Sequence, residues 1–95
     1  MATDSVPLPQ GVWTEVTGPR GMADGEEYAC EVVGGPAEAV NVTGNAAPAA
    51  EAVGHPYYPG TRSRQADYRS FTKKAGQTWW FRAAGADTKF VASEL

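Results

Sequence analysis

The chain has 95 residues, enough for one domain around one core. Its net charge is −3, with 8 basic residues against 11 acidic ones, so the basic surface typical of nucleic-acid-binding proteins is not expected. No apolar run approaches the roughly 18–20 residues of a membrane span, and the single cysteine, Cys30, excludes an intrachain disulfide. We therefore predict a protein that folds in reducing surroundings, with neither nucleic acid nor membrane as a partner.

Residues 1–10 are predicted to be a flexible N-terminal arm, ahead of a single β-rich domain over residues 11–95. Pro7 and Pro9 interrupt the arm, which has neither the basic start nor the apolar centre of a signal peptide. Arms of this kind often become ordered only on a neighbouring subunit. We therefore expect a mobile extension that reaches a partner.

Glycine and proline residues divide the rest of the chain into pieces of strand length, in which β-branched and aromatic residues are concentrated. The pattern predicts five strands and a sixth candidate, over residues 12–17, 28–33, 37–43, 78–83, 88–92 and 68–72. The short connections at residues 34–36 and 84–87 suit hairpins. We expect an all-β fold, either a small β-sandwich or a partly open barrel, of about five to seven short antiparallel strands.

Alternation within these strands predicts which side chains share a face. Tyr28, Cys30 and Val32 lie together on one face, and Val40 and Val42 lie together on another. A cysteine in such an apolar run usually behaves as a small buried apolar residue.

The middle of the chain is predicted to be a long loop rich in glycine, proline and alanine. Residues 46–53 hold helix-forming alanines with a proline among them, so a single helical turn and an irregular loop both fit. Residues 54–65 are predicted as an extended loop. Loops this long inside a compact domain are often functional or pack on a partner.

Residues for catalysis are scarce. His55 is the single histidine, and Ser63 and Asp67 match a catalytic triad only by residue type, without the motif that surrounds a catalytic serine. One histidine and one cysteine also lack the paired spacing of a zinc site. We therefore predict that the protein is not an enzyme and has no catalytic residues, no metal site and no cofactor.

Three consecutive aromatic residues, Trp79, Trp80 and Phe81, cannot all face one core from a strand. If Trp79 and Phe81 point inward, Trp80 points outward, or the reverse. An outward indole is covered by a nearby loop, is buried against a partner, or forms a platform on which a sugar ring stacks. The candidate interface residues are Trp13, Tyr57, Tyr58, Trp80, Arg62 and Arg64.

Four segments together carry a resemblance to a family. They are Gly-Val-Trp-Thr-Glu-Val at 11–16, Tyr-Ala-Cys-Glu-Val-Val-Gly-Gly at 28–35, Ala-Val-Asn-Val-Thr at 39–43, and Ala-Gly-Gln-Thr-Trp-Trp-Phe-Arg-Ala at 75–83. This pattern, over most of residues 11–93, resembles small virion proteins of tailed bacteriophages, such as capsid decoration or cement proteins, head fibres and tail-fibre modules.

The resemblance implies a structural virion protein that folds in the cytoplasm of the host bacterium and assembles on the capsid. Its partners would be copies of itself, with a homotrimer favoured, and the major capsid protein. The function expected is a self-associating capsid decoration subunit that stabilises the head. The alternative is a carbohydrate- or receptor-binding module of a tail fibre, which the aromatic residues Trp80, Tyr57 and Tyr58 favour.

Overall fold

The computed structural model describes residues 4–60, 69–85 and 87–94, and its architecture is all-β. Between the second and third strands the chain makes a four-residue helical turn, α1 (Thr17–Arg20). The eight strands are β1 (Asp4–Leu8), β2 (Thr14–Glu15), β3 (Glu27–Val33), β4 (Ala37–Thr43), β5 (His55–Tyr57), β6 (Arg69–Thr72), β7 (Gln77–Ala83) and β8 (Thr88–Glu94). They form two four-stranded antiparallel sheets and not a closed barrel. Sheet A has the order β1-β8-β3-β6, and sheet B has the order β2-β7-β4-β5.

The positions of most strands agree with the sequence-based prediction. The strands predicted at 28–33, 37–43, 78–83 and 88–92 lie within β3, β4, β7 and β8, and the sixth candidate overlaps β6. The first predicted strand is confirmed only at Thr14 and Glu15, because α1 begins at Thr17. The predicted number of five to seven strands is too low, since the chain also forms β1 and β5.

The prediction of a mobile arm over residues 1–10 is wrong for residues 4–8. These residues form β1, which pairs with β8 from Asp4 opposite Ala92 to Leu8 opposite Thr88. Val6 and Leu8 point into the core and are buried. Pro7 is compatible with this strand because β1 lies at a sheet edge, where a proline need not remove a hydrogen bond of the ladder.

The two predicted hairpins are also wrong. β3 pairs with β6 and β8, whereas β4 pairs with β5 and β7, so residues 34–36 cross from sheet A to sheet B. The connection from β7 to β8, at residues 84–87, crosses back in the same way. The crossings let the inner residues of consecutive strands face each other across the core instead of lying side by side in one sheet. We call the end of the molecule where both connections cross the arch end.

The two crossing connections lie against each other. The amide of Ala84 donates a hydrogen bond to the carbonyl oxygen of Pro36 at 3.0 Å. Gly34 has a φ of +107°, and a Cβ atom at this position would lie 3.2 Å from the carbonyl oxygen of Asp87. A residue with a side chain would therefore be strained in its backbone and crowded by the second connection.

The core lies between the sheets. Sheet A contributes Leu8, Val32 and Phe90, and sheet B contributes Phe81, whose ring centroid lies 4.6 Å from that of Phe90. Cys30 is 1% exposed, as expected for a small buried apolar residue, and it shares the inner face with Tyr28 and Val32 as predicted.

The predicted alternation of side chains along β4 is also confirmed, with Val40 and Val42 on one face, but this face is the outer one. Ala37 and Ala39 are the buried residues of this strand. Val40 and Val42 therefore share the outer face of sheet B.

Candidate interaction surface

Trp80 lies on the outer face of sheet B, which is one of the two arrangements that the aromatic triplet predicted. Phe81 is fully buried, and Trp79, which has the same inward direction, stacks on Phe71 with 4.3 Å between ring centroids. Trp80 is half-buried opposite Val40 of β4. Its indole nitrogen donates to the hydroxyl of Thr78 at 3.0 Å, so its hydrogen-bonding capacity is already used within the chain.

Tyr57 is a core residue, so its prediction as an interface residue is wrong. It lies opposite Ala37 in the pairing of β5 with β4, and it is 4% exposed. Its ring packs against Phe81 at 5.1 Å between centroids. Its hydroxyl lies 3.6 Å from the Sγ atom of Cys30. Tyr58, the next residue, points away from the core and is 42% exposed.

The alanine-rich segment is held against the outer face of sheet B by Arg82. The guanidinium group donates to the carbonyl oxygens of Ala50 at 2.6 Å and of Ala52 at 2.9 Å. It also lies 4.3 Å above the ring of Trp13, within the range of a cation–π contact. Trp13 in turn donates from its indole nitrogen to the carbonyl oxygen of Ala49 at 3.2 Å. The alanine-rich segment therefore lies over part of the outer face of sheet B, the face that also carries Trp80.

Glu38 anchors the end of the same segment. Its Oε1 atom accepts a hydrogen bond from the amide of Gly54 at 2.8 Å and lies 3.2 Å from Nη2 of Arg82. Gly54 passes very close to β4, because a Cβ atom there would lie 2.7 Å from the carbonyl oxygen of Ala39. The chain on either side of Val53 is thus fixed to the sheet, while the Val53 side chain is 90% exposed.

Val53 and Tyr58 border an apolar groove of about 390 Å³ at the arch end. We call it the Tyr58 groove, and its lining includes Pro36, Glu38, Val53, Pro56, Tyr58 and Ala84. Pro36 and Ala84 belong to the two crossing connections, and Pro56 lies opposite Glu38 in the β4–β5 pair. The groove therefore runs from the edge of sheet B to the arch end.

A second groove, of about 440 Å³, lies on the sheet A side of the same end. We call it the Val33 groove, and its lining includes Pro7, Leu8, Pro9, Val33, Asp87 and Lys89. Val33 is 48% exposed and lies opposite Lys89, at the last paired position before the crossing. Asp87 and Lys89, both exposed, give this groove a charged rim.

The described chain exposes four large apolar residues, Val12, Val33, Val53 and Tyr58. Val33 lines the Val33 groove, whereas Val53 and Tyr58 line the Tyr58 groove, so three of the four lie beside the grooves of the arch end. Val12 lines neither groove; its turn is tied to the end of β7, where the amide of Gly11 donates to the carbonyl oxygen of Ala83 at 3.0 Å.

The opposite end of the sheets is charged. β3 begins there, and the connection ahead of it carries Asp24 and Glu26, beside Lys73 and Lys74 after β6. Lys73 and Asp24 form an ion pair at 2.6 Å, and the backbone of Lys73 exchanges hydrogen bonds with residues 25 and 26. We call this end of the described chain the charged end.

The structure brings together only part of the predicted interface. Tyr58 lies in the groove at the arch end, while Trp13 and Trp80 lie on the outer face of sheet B, and Arg62 and Arg64 lie outside the described residues. Val53, Val33 and Arg82 were not among the predicted interface residues. Val53 had one usable signal, since it is the single branched apolar residue in a segment otherwise made of small and polar residues.

His55 is exposed at the edge of sheet B, and its ring meets that of Tyr57 edge-on at 6.4 Å between centroids. Ser63 and Asp67 lie outside the described residues. Over residues 4–60, 69–85 and 87–94, no three histidine, cysteine, aspartate or glutamate side chains are grouped so that they could bind a metal ion. Within the same part of the chain, no helix has the length and apolar character needed to span a bilayer.

Comparisons with protein-family models, with curated proteins and with solved structures found no match to this chain.

Proposed function

We propose that this chain is a structural protein of a bacteriophage virion, a self-associating capsid decoration or cement subunit that stabilises the head. The observation that carries the proposal is the arch end, where the exposed side chains Val33, Val53 and Tyr58 line two apolar grooves. In the proposed arrangement the two sheets form a β-sandwich. Its partners are copies of itself and the major capsid protein, and it binds neither nucleic acid nor membrane.

Two further points support a structural role. The resemblance of residues 11–93 to small virion proteins implies it. In addition, Arg82 and Glu38, which hold the alanine-rich segment against sheet B, have a structural role through bonds within the same chain. We therefore propose that the protein is not an enzyme and needs no cofactor. The resemblance also implies a homotrimer, a number of copies that light scattering measures directly.

The ordering of residues 4–8 in β1 changes how such a subunit would hold the capsid. A free arm reaching over a capsomer boundary is not available from these residues, because Val6 and Leu8 are part of the core. Attachment would instead use a surface of the folded domain. The arch end, with its two apolar grooves, is the surface that we propose for this attachment.

Co-sedimentation with purified capsids of the phage that carries the gene tests the proposal. We expect the protein to pellet with capsids up to a fixed stoichiometry and to raise their temperature of disruption. Absence of co-sedimentation at concentrations up to about 100 μM, where a complex of about −5.5 kcal/mol is detected, would contradict it.

A carbohydrate- or receptor-binding module of a tail fibre is the second candidate, and Tyr58 favours it. An exposed phenol ring beside the carboxylate of Glu38 in a groove of about 390 Å³ offers a stacking surface and a hydrogen-bond acceptor. Binding on a glycan array that is lost in Tyr58→Ala, and kept in Trp80→Ala, would support this function. No binding above background to any glycan would contradict it.

A further inference from the structure

We propose that the Tyr58 groove is the contact through which two copies of this chain associate, with Val53 of each copy entering the groove of the other. The inference rests on the self-association in the proposed function and assigns it to a defined surface. It also predicts a twofold pair, which differs from the homotrimer that the resemblance implies.

Val53 is suited to enter a partner because the chain around it is already fixed. The carbonyl oxygen of Ala52 accepts from Arg82, and the amide of Gly54 donates to Glu38, so both neighbours of Val53 are hydrogen-bonded to sheet B. The segment is also closed by a hydrogen bond from the amide of Ala52 to the carbonyl oxygen of Ala49 at 2.9 Å. An apolar side chain presented by a preformed segment binds with a smaller loss of conformational entropy than one on a mobile loop.

The position of Val53 predicts a symmetric pair. Val53 lies on the rim of the groove that it would fill, so the protruding side chain and the cavity belong to one patch. A patch that carries both is self-complementary, as a twofold contact between identical subunits requires. A trimeric ring would need the protruding side chain and the cavity at two different places on the surface.

Charge favours this patch over the other candidate surfaces. Among the described residues that line the Tyr58 groove, the carboxylate of Glu38 is the only ionised group, and it lies 3.2 Å from the guanidinium of Arg82. Within the described part of the chain, two copies meeting there would bring together no uncompensated charge. At the Val33 groove they would bury the exposed side chains of Asp87 and Lys89, which costs desolvation free energy.

The charged end is a poorer surface for self-association. Its connection before β3 carries Asp24 and Glu26, and β3 itself begins with the exposed Glu27. Copies that met there would have to match these carboxylates with the lysines after β6, of which Lys73 is already paired with Asp24. The described lining of the Tyr58 groove carries one ionised group, so fewer charges have to be matched there.

Sedimentation-velocity measurements over a concentration series test the contact with a matched pair of substitutions. Val53→Glu places a carboxylate in the groove, and Val33→Glu places the same group in the other groove of the arch end. We expect dimers of the unmodified protein and of Val33→Glu, and at least a tenfold weaker association of Val53→Glu. The inference would be overturned if the unmodified protein were monomeric up to about 1 mM or formed trimers. Equal association of all three proteins would also overturn it.

Disulfide trapping gives an independent measurement. Cys30 is 1% exposed, so a cysteine introduced at an exposed position is the reactive thiol of the folded protein. Under mild oxidation, Val53→Cys should form covalent dimers faster than Val33→Cys, because Val53 lines the groove that the partner's Val53 enters, so both introduced thiols lie within the contact. Equal rates for the two variants would count against the contact.

These results are separable from the test of the proposed function. Dimers that require Val53 but do not bind capsids would support the contact and contradict the capsid role. A monomer that binds capsids would support the capsid role and contradict the contact. Dimers that persist in Val53→Glu would place the contact elsewhere and overturn the inference, whatever the capsid result.

Discussion

Replacing Arg82 with alanine should release the alanine-rich segment from sheet B and destabilise the fold. Arg82 donates two hydrogen bonds to carbonyl oxygens of this segment, contacts the carboxylate of Glu38, and lies over the ring of Trp13. Because one side chain makes all four contacts, its removal leaves several groups without a partner at once.

The expected loss can be worked out from those contacts. A hydrogen bond from a charged group contributes about 1.5–3 kcal/mol, a cation–π contact about 0.5–1 kcal/mol, and a solvent-accessible ion pair at most about 1 kcal/mol. Contacts that share one group are not additive, and an ordered arginine loses about 2 kcal/mol of rotamer entropy. We therefore expect Arg82→Ala to lower the free energy of unfolding by about 2–3 kcal/mol, a large part of the few kcal/mol typical of a domain this small.

Urea denaturation followed by far-ultraviolet circular dichroism measures the loss, and hydrogen exchange locates it. The amide of Gly54 should exchange faster in Arg82→Ala, because Glu38, which accepts its hydrogen bond, loses its cationic neighbour. Arg82→Lys is the matched control, since it keeps the charge but lacks the forked donor and should lose about half as much. A change below about 0.5 kcal/mol in Arg82→Ala, with unaltered exchange at Gly54, would refute the reasoning.

Three other substitutions or treatments test the packing. Gly54→Ala should destabilise the protein by about 1–3 kcal/mol in the same urea assay, because the new Cβ atom would lie 2.7 Å from the carbonyl oxygen of Ala39; a neutral effect would mean that the segment can move away freely. Cys30 should react with a soluble disulfide reagent only as fast as the protein opens, so its rate should rise steeply with urea, and rapid labelling without urea would contradict its burial. Phe81→Ala should cost about 3–5 kcal/mol because Phe81 is fully buried against Phe90, and a stable, fully folded variant would show that this packing matters little.

The positions of the strands were predictable because they depend on local sequence. β-Branched and aromatic residues between glycines and prolines mark an extended segment wherever its partner lies. The alternation of Tyr28, Cys30 and Val32 likewise predicted the buried face of β3.

The pairing of the strands was not predictable from the same information. A connection such as Gly34-Gly35-Pro36 is short enough for a hairpin and equally fits a crossing between two packed sheets. The pairing is decided by the contacts of β3 with β8 and of β4 with β7, and these strands are distant in the sequence. The residues of the turn do not indicate such distant contacts.

Two of the wrong predictions, on residues 4–8 and on Tyr57, concern segments whose sequence pattern did indicate the observed structure, although prolines interrupt it. Val6 and Leu8 alternate with Ser5 and Pro7, which is the pattern of an edge strand with one buried face. Tyr57 and Tyr58 differ by one position and therefore point to opposite sides of the β5 edge. The role of Arg82 had no such signal, because its partners are backbone carbonyl groups some 30 positions away.

The position of β8 has a consequence for how the protein is made. β8 lies between β1 and β3, so β1 has no hydrogen-bonded neighbour in sheet A until residues 88–94 are available. Asp4 pairs with Ala92, and Leu8 pairs with Thr88, so the β1 edge of sheet A is joined late in synthesis. Folds dominated by such distant pairings form in milliseconds to seconds, much slower than folds built from neighbouring segments. In a nascent chain, Val6 and Leu8 would therefore lack their native strand partner until β8 has been translated.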